Sequence, residues 1–232
     1  MKLFEVAGED VEFRPSPYCW RTRMALKHKG LDFEPMPWRA VEKDRIAGSG
    51  GGTVPVLVDG THWVRESFDI ADYLDKTYPD RPLLFPTDGD RAKAIFVDAW
   101  VTGTVHPLMA QAVLMDQFVL LAARDQDYYK ERTVRKFGVE IEEMCADPDG
   151  AIEKLKPVLA PLQKTLGSTD YLGGSTPDYA DYIVFGAFQW ARVVSTRQMI
   201  ETDCQIDRWF HRLLGAFDGY GAAQPGRSHW DG

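Results

Sequence analysis

Cysteine is scarce in this 232-residue chain: Cys19, Cys145 and Cys204 are its only three, each more than 50 residues from the next, and no CxxC pair occurs. That spacing argues against a disulfide framework and against a cysteine-built zinc site, and it fits a reducing compartment. Positive charge is also short, with 27 Lys and Arg against 35 Asp and Glu, a net charge of −8. Divided near Phe85, the chain carries 12 basic and 14 acidic side chains in its first part and 15 and 21 in its second. Neither part offers the basic footprint that a nucleic-acid backbone requires. No stretch approaches the roughly 20 apolar residues that span a bilayer, and Met1 to Gly8 has no apolar signal core. The expectation is a cytoplasmic protein with no membrane or nucleic-acid partner. A composition of 44% hydrophobic and 27% charged residues excludes disorder, collagen and coiled coil, and the length suits one large domain or two small ones.

Several familiar sites are missing as well. The glycines of Gly48 to Thr53 have no Gly-Lys-Ser/Thr ending and precede a strand, so they form no P-loop. No GxSxG elbow and no HExxH exist. His28, His62, His106, His211 and His229 are scattered without metal-ligand spacing, so each reads as a surface or hydrogen-bonded histidine and no metal is expected.

What is present organises the chain into two parts. Lys2 to Ala7 reads as a strand, and Ser16-Pro17 as a helix start with a hydroxyl cap and proline at the first position. The helix over Pro17 to Lys29 places Trp20, Met24, Ala25 and His28 on one face, with Gly30 as its stop. Leu31 to Met36 fits a second strand, and Pro37 to Gly52 a loose helical loop that ends in the flexible run Gly50, Gly51, Gly52. Val54 to Val58 pairs with His62 to Val64 across Asp59-Gly60, a hairpin signal, and Ser67 caps a helix that ends at Pro79. Residues 81–90, around Pro82, have the composition of a linker. Residues 91–232 read as helix throughout: Arg91 to Leu121 with a kink at Pro107, then Tyr128 to Cys145, Ile152 to Leu166, Tyr179 to Val194 behind an Asp178/Asp181 cap, and Ile206 to Ala216.

Two constellations could carry chemistry. Ser16 sits where a helix N-terminus stabilises an anion, so a thiolate placed there would have a lowered pKa. The same hydroxyl also serves as a plain N-cap, and Cys19 one turn further reads as a buried hydrophobe or a second nucleophile. The second constellation is Thr53-Val54-Pro55 with Glu66-Ser67. An extended residue before proline leaves backbone groups free for a bound peptide, and a carboxylate beside a hydroxyl suits an amino-acid head group. A strand-edge proline and a capping serine would give the same spelling.

Three segments carry a family resemblance: SPYCWRTRMALKHKG at Ser16 to Gly30, TVPVLVDG at Thr53 to Gly60, and ESFDIADYLDKTYPDRPLL at Glu66 to Leu84. They resemble the glutathione-binding domain of glutathione transferases. WRTRMAL is similar to the zeta-class WRVRIAL, whose serine precedes the tryptophan by four positions, as Ser16 precedes Trp20. The longer spelling resembles bacterial β-etherases and fungal etherase-like transferases, and YLGGSTPDYADY at Tyr171 to Tyr182 resembles the family's capping segment before a buried helix.

The resemblance implies an α/β thioredoxin-like glutathione-binding domain over residues 1–80 and an all-helical domain after the linker. Glutathione would be the co-substrate, with Ser16 on its sulfur, Val54 and a cis Pro55 on its cysteinyl unit, and Glu66 and Ser67 on its γ-glutamyl end. Arg39, Lys43 or Arg45 would hold the glycine carboxylate. A hydrophobic aromatic electrophile, an aryl ether among the options, would occupy a pocket in the helical domain, where Trp100, His106, Met109 and Met115 are candidates by position on the long helix. The resemblance also implies a homodimer and a role in detoxification of aromatic compounds. The alternatives are a non-catalytic carrier of glutathione or aromatic ligands, a zeta-like isomerase, and thiol redox chemistry through Cys19.

Overall fold

The computed structural model describes residues 1–227; His229 lies outside the described residues. Four strands, β1 (Lys2–Val6), β2 (Glu34–Trp38), β3 (Val56–Asp59) and β4 (His62–Arg65), form one mixed sheet in the order β2-β1-β3-β4. Strand β1 runs parallel to β2 and antiparallel to β3. The parallel pair is bridged by helix α1 (Pro17–His28), and α2 (Ser67–Thr77) comes after the β3–β4 hairpin. This is a thioredoxin-like β/α domain. The hairpin closes through Asp59↔His62, with Gly60 at φ 58°, the left-handed geometry that glycine adopts without penalty.

Strand β2 starts at Glu34, three residues later than the pattern predicts. The N–H groups of Gly30 and Leu31 are spent closing α1, on the carbonyls of Lys27 and Leu26, and the first ladder bond is Glu34 N–H to the Met1 carbonyl. Its Pro35 and Pro37 are tolerated because β2 is an edge strand. The expected loop after it is ordered: Lys43–Ser49 forms a 3-10 turn that buries Ile46 against Phe4, Trp38 and Val56. Strand β3 begins two residues beyond the expected Val54, since Pro55 has no N–H for the ladder.

After the sheet domain the regular elements of the described residues are helices: α3 (Asp88–Trp100), α4 (His106–Phe118), α5 (Ala123–Phe137), the single turn α6 (Ile141–Met144), α7 (Pro148–Leu166), α8 (Tyr179–Val194) and α9 (Gln205–Gly219). A capping box between Thr87 and Asp90 starts α3 inside the stretch that reads as linker. Between α3 and α4 the chain stays helical but widens to i→i+5 bonding over Val101–Val105, directly before Pro107. Helix α5 stops at Gly138, which is left-handed at φ 79°, eight residues before the expected end. None of the described helices is long and apolar enough to cross a membrane.

Helix α8 is buried along its whole length and forms the centre of the molecule. Its N-terminal Asp181 accepts from Trp209 Nε1 (2.8 Å) and from the backbone N–H groups of Leu172 (2.8 Å), Gly173 (2.9 Å) and Asp178 (3.0 Å). Against α8 lies α1, and at the contact a Cβ on Gly186 would stand 2.4 Å from the Pro17 carbonyl oxygen. Only glycine permits that approach. Gly186→Ala is expected to cost at least about 2 kcal/mol by overpacking and to lower Tm by roughly 5 °C in a chain of this size. Thermal unfolding followed by circular dichroism checks it; an unchanged Tm would show that the helices separate freely.

Candidate active site

The first turn of α1 meets the groove between the two domains. Ser16 is its N-cap, extended at φ −118° and ψ 120°, with Oγ accepting from the Cys19 N–H at 3.3 Å. A bond of that length is weak, and the hydroxyl lines the cleft beside the positive end of the helix dipole. Burial of Cys19 through Leu26 fixes the helix, and Trp20 Nε1 donates to the Arg14 carbonyl at 3.0 Å, pinning the approach to Ser16. Arg14 is itself held by the wholly buried Glu5 carboxylate (3.3 Å), which also accepts two 2.6 Å bonds from the Arg23 guanidinium. Cys19 faces the core, where burial pushes its thiol up to about 12, so it is protonated and unreactive at neutral pH.

Between the domains lies an open cleft. The sheet domain contributes Ser16, Tyr18, Trp38, Thr53 and Val54. Helix α4 supplies His106 and Leu114, α8 supplies Trp190, and α5 supplies Tyr128, Tyr129, Arg132, Lys136 and Phe137. The Val54–Pro55 bond is cis, and Val54 precedes the β1–β3 ladder, which begins at Val56. Pro55 is not part of the cleft lining, nor are Glu66 and Ser67, at the start of α2. Glu66 is exposed in a left-handed conformation (φ 64°, ψ 130°), and Ser67 is buried with its carbonyl accepting from the Tyr179 hydroxyl at 2.6 Å. For a non-glycine residue that backbone costs on the order of 1–3 kcal/mol, a strain that marks functional positions.

The three candidate cations beyond β2 differ in their commitments. Arg39 donates to the carbonyls of Gly8 (3.3 Å) and Glu9 (3.0 Å), and Arg45 to the Pro37 carbonyl (2.6 Å) and the Glu42 carboxylate (2.7 Å). Lys43 stands 5.1 Å over the Tyr128 ring, with no carboxylate paired to it among the described residues. No cluster of three or more metal-ligating side chains occurs among the described residues.

Residues 15–77 match the family described as glutathione S-transferase, N-terminal domain, and residues 92–220 match glutathione S-transferase, C-terminal domain. The chain belongs to the glutathione S-transferase family. Among curated relatives, glutathione S-transferase Z1 of Arabidopsis thaliana is 44% identical over 69 residues, 28% of this chain and 31% of that protein. This chain thus spans under a third of that relative in the match. Glutathione transferase GSTFuA3 of Phanerochaete chrysosporium shares the fold at a TM-score of 0.82 and 22% identity, over 92% of this chain and 95% of that one. A glutathione S-transferase of Ceriporiopsis subvermispora, solved in complex with glutathione, matches at a TM-score of 0.77 and 23% identity, over 94% and 96% of the two chains.

In this glutathione S-transferase the long helix does not present the face that its sequence position suggests. His106 lines the cleft, whereas Met109 is fully buried in the core and Trp100 and Met115 pack at the core's margin. The wide turn at Val101–Val105 adds about one residue to the helical repeat, which rotates the side chains of α4 by roughly 100° about the helix axis. Sequence reasoning missed Tyr18, Trp190 and the whole α5 wall. The available signal was Tyr128, Arg132 and Lys136, four residues apart and therefore on one helical face.

Tyr18 and His106 form a pair across the domain boundary, hydroxyl to Nδ1 at 3.3 Å with the rings edge-on. Burial raises the Tyr18 pKa, so the phenol is un-ionised, and burial, then Arg21 and Lys136, hold the His106 pKa well below 6.5. Nε2 of the ring is buried with no hydrogen-bond partner among the described residues. Because the unfolded chain takes up a proton near pH 6.5 that the folded ring refuses, stability falls as pH drops through 6.5 towards the folded pKa. His28, lowered by burial, adds in the same direction. Asp181, whose carboxyl is pushed up to about 6 by burial, acts in the opposite direction, so the histidine contribution is read as a difference. In chemical denaturation between pH 7 and 5 the wild type is expected to lose more stability, or gain less, than His106→Gln; equal slopes would mean that the His106 pKa is the same in the folded and unfolded chain.

Proposed function

We propose that the chain is a glutathione transferase in which Ser16 and the α1 N-terminus stabilise the glutathione thiolate for attack on a hydrophobic aromatic electrophile. The observation that carries the reading is the loosely engaged Ser16 hydroxyl at a helix N-terminus on the wall of an aromatic cleft. Val54 supports it with backbone groups beyond the ladder on the same wall, where the cysteinyl unit would pair. Glu66 and Ser67 would take the γ-glutamyl end outside the enclosed space. Lys43, whose charge no carboxylate neutralises among the described residues, is the best-suited cation for the glycine carboxylate.

In the transfer step the thiolate sulfur bonds to carbon and the leaving group departs with the electron pair of its bond. For an aryl ether that leaving group would be a phenolate, which takes a proton from water. Three free cysteines fit a reducing cytoplasmic setting. Loss of the Ser16 hydroxyl removes a charge-assisted bond worth about 1.5–3 kcal/mol, or roughly 10- to 100-fold in rate. Ser16→Ala is therefore expected to lower kcat/KM by that factor and to raise the apparent thiol pKa in the pH–rate profile, while Ser67→Ala weakens glutathione binding by calorimetry. Full turnover in Ser16→Ala would remove Ser16 from the mechanism, and binding without turnover towards any electrophile would leave a carrier protein.

The proposed partner chain is a second copy. On α3, Ile95 and Phe96 are exposed at 48% and 73%, large apolar side chains that a second copy would cover. Sedimentation analysis is expected to show a dimer for the wild type and a monomer for Phe96→Glu; a monomeric wild type would discard this partner.

A further inference from the structure

The α5 wall of the cleft carries two cations where an apolar acceptor would need none. Arg132 and Lys136 are four residues apart on one helix, on the same face about 6 Å apart along its axis. Both line the cleft, Arg132 half-buried and Lys136 at its mouth. Elsewhere the chain pairs such charges: Lys130 on the same helix meets Glu142 at 3.1 Å, and Arg124 meets Glu42 at 3.4 Å. Arg132 and Lys136 have no carboxylate partner among the described residues. Their neighbours are rings, with the Arg132 guanidinium 5.8 Å from the Tyr129 centroid and the Lys136 ammonium 5.1 Å from that of Phe137.

Two like charges on one wall repel, and the repulsion shows: burial and then Arg132 lower the Lys136 pKa. The charges of the pair are felt by other residues of the cleft, Arg132 by Tyr18 of the sheet domain and Lys136 by His106 of α4. Among the described residues the one acidic side chain lining the cleft is Asp125, which accepts from the Val41 N–H at 3.3 Å and forms no ion pair with either cation. In a chain of net charge −8 this is a local cationic edge on an otherwise aromatic surface, so it is no part of a general basic face.

We infer that the acceptor is an aromatic molecule bearing an anionic group, a carboxylate or sulfonate, which Arg132 and Lys136 hold while the ring lies along Tyr128, Phe137 and Trp190. The inference rests on the transferase reading for the word acceptor, but the anion site itself does not depend on turnover. The anionic group is anchored on α5 and the reactive carbon points across the cleft towards Ser16. Guanidinium and ammonium then act on one group from successive helical turns.

Two measurements test it. The first compares chlorodinitrobenzoate with chlorodinitrobenzene as electrophiles, in wild type and in R132Q/K136Q. The ratio of kcat/KM for the anion to that for the neutral compound is expected to fall on the order of 10-fold or more, as for loss of hydrogen bonds to a charged group. The second reads the cleft without glutathione, by fluorescence titration of anilinonaphthalene sulfonate and of neutral phenylnaphthylamine. The ratio of their affinities is expected to fall similarly. Selective loss of the sulfonate without any conjugation would sink the transferase reading and leave the anion site standing. Equal weakening of both probes, or of neither, would overturn the anion site whatever the turnover.

Discussion

Helix α1 has no solvent-facing side over most of its length, and the rest of the molecule is arranged around that constraint. One flank lies on the sheet and the other on α8, where Gly186 lets the Pro17 carbonyl approach closer than any side chain would allow. A helix held on both flanks cannot rotate, so each residue of its first turn has a fixed destination. Ser16 reaches the groove, Tyr18 crosses to His106, and Cys19 enters the core. That orientation presents a serine hydroxyl at the helix mouth and turns the Cys19 thiol into the core.

Charge is treated in two opposite ways. Inside the sheet domain, Glu5 at zero exposure gathers Arg14 and Arg23, and across the domain boundary Arg21 meets Asp98 at 2.5 Å. Such buried pairs add less stability than their Coulomb energy suggests because both ions lose water, but breaking one strands a charge, so they fix geometry. Here they fix the loop before Ser16 and the angle between the domains. On α5 Arg132 and Lys136 have no acidic partner among the described residues and line a cleft with many rings. Unpaired charge in such a place is tolerated where a ligand completes it.

Local signals in the sequence carried much of the fold. Asp59-Gly60 gave the hairpin, Ser16-Pro17 the start of α1, and Asp178 with Asp181 the start of α8, because turns and caps are interactions between residues a few positions apart. The misplacements have equally local causes once the hydrogen bonds are visible. Strand β2 was delayed because Gly30 and Leu31 close the preceding helix, and α5 was cut short by Gly138. The wide turn at Val101–Val105 had no signature beyond Pro107, and it alone redirected the face of the long helix.

The amino-acid sequence by itself determined the two-part division, the family motifs and the position of Ser16 at a helix mouth. Those features depend on short-range spacing along the backbone. Only the tertiary structure decided that His106 and not Met109 lines the cleft, that Tyr18 meets a histidine 88 positions away, and that α5 supplies two cations to the cleft that Ser16 also lines. A cleft between domains is built from residues that share no local pattern. Their meeting is set by how α1 packs on α8, and no spacing rule along one segment encodes the packing of two.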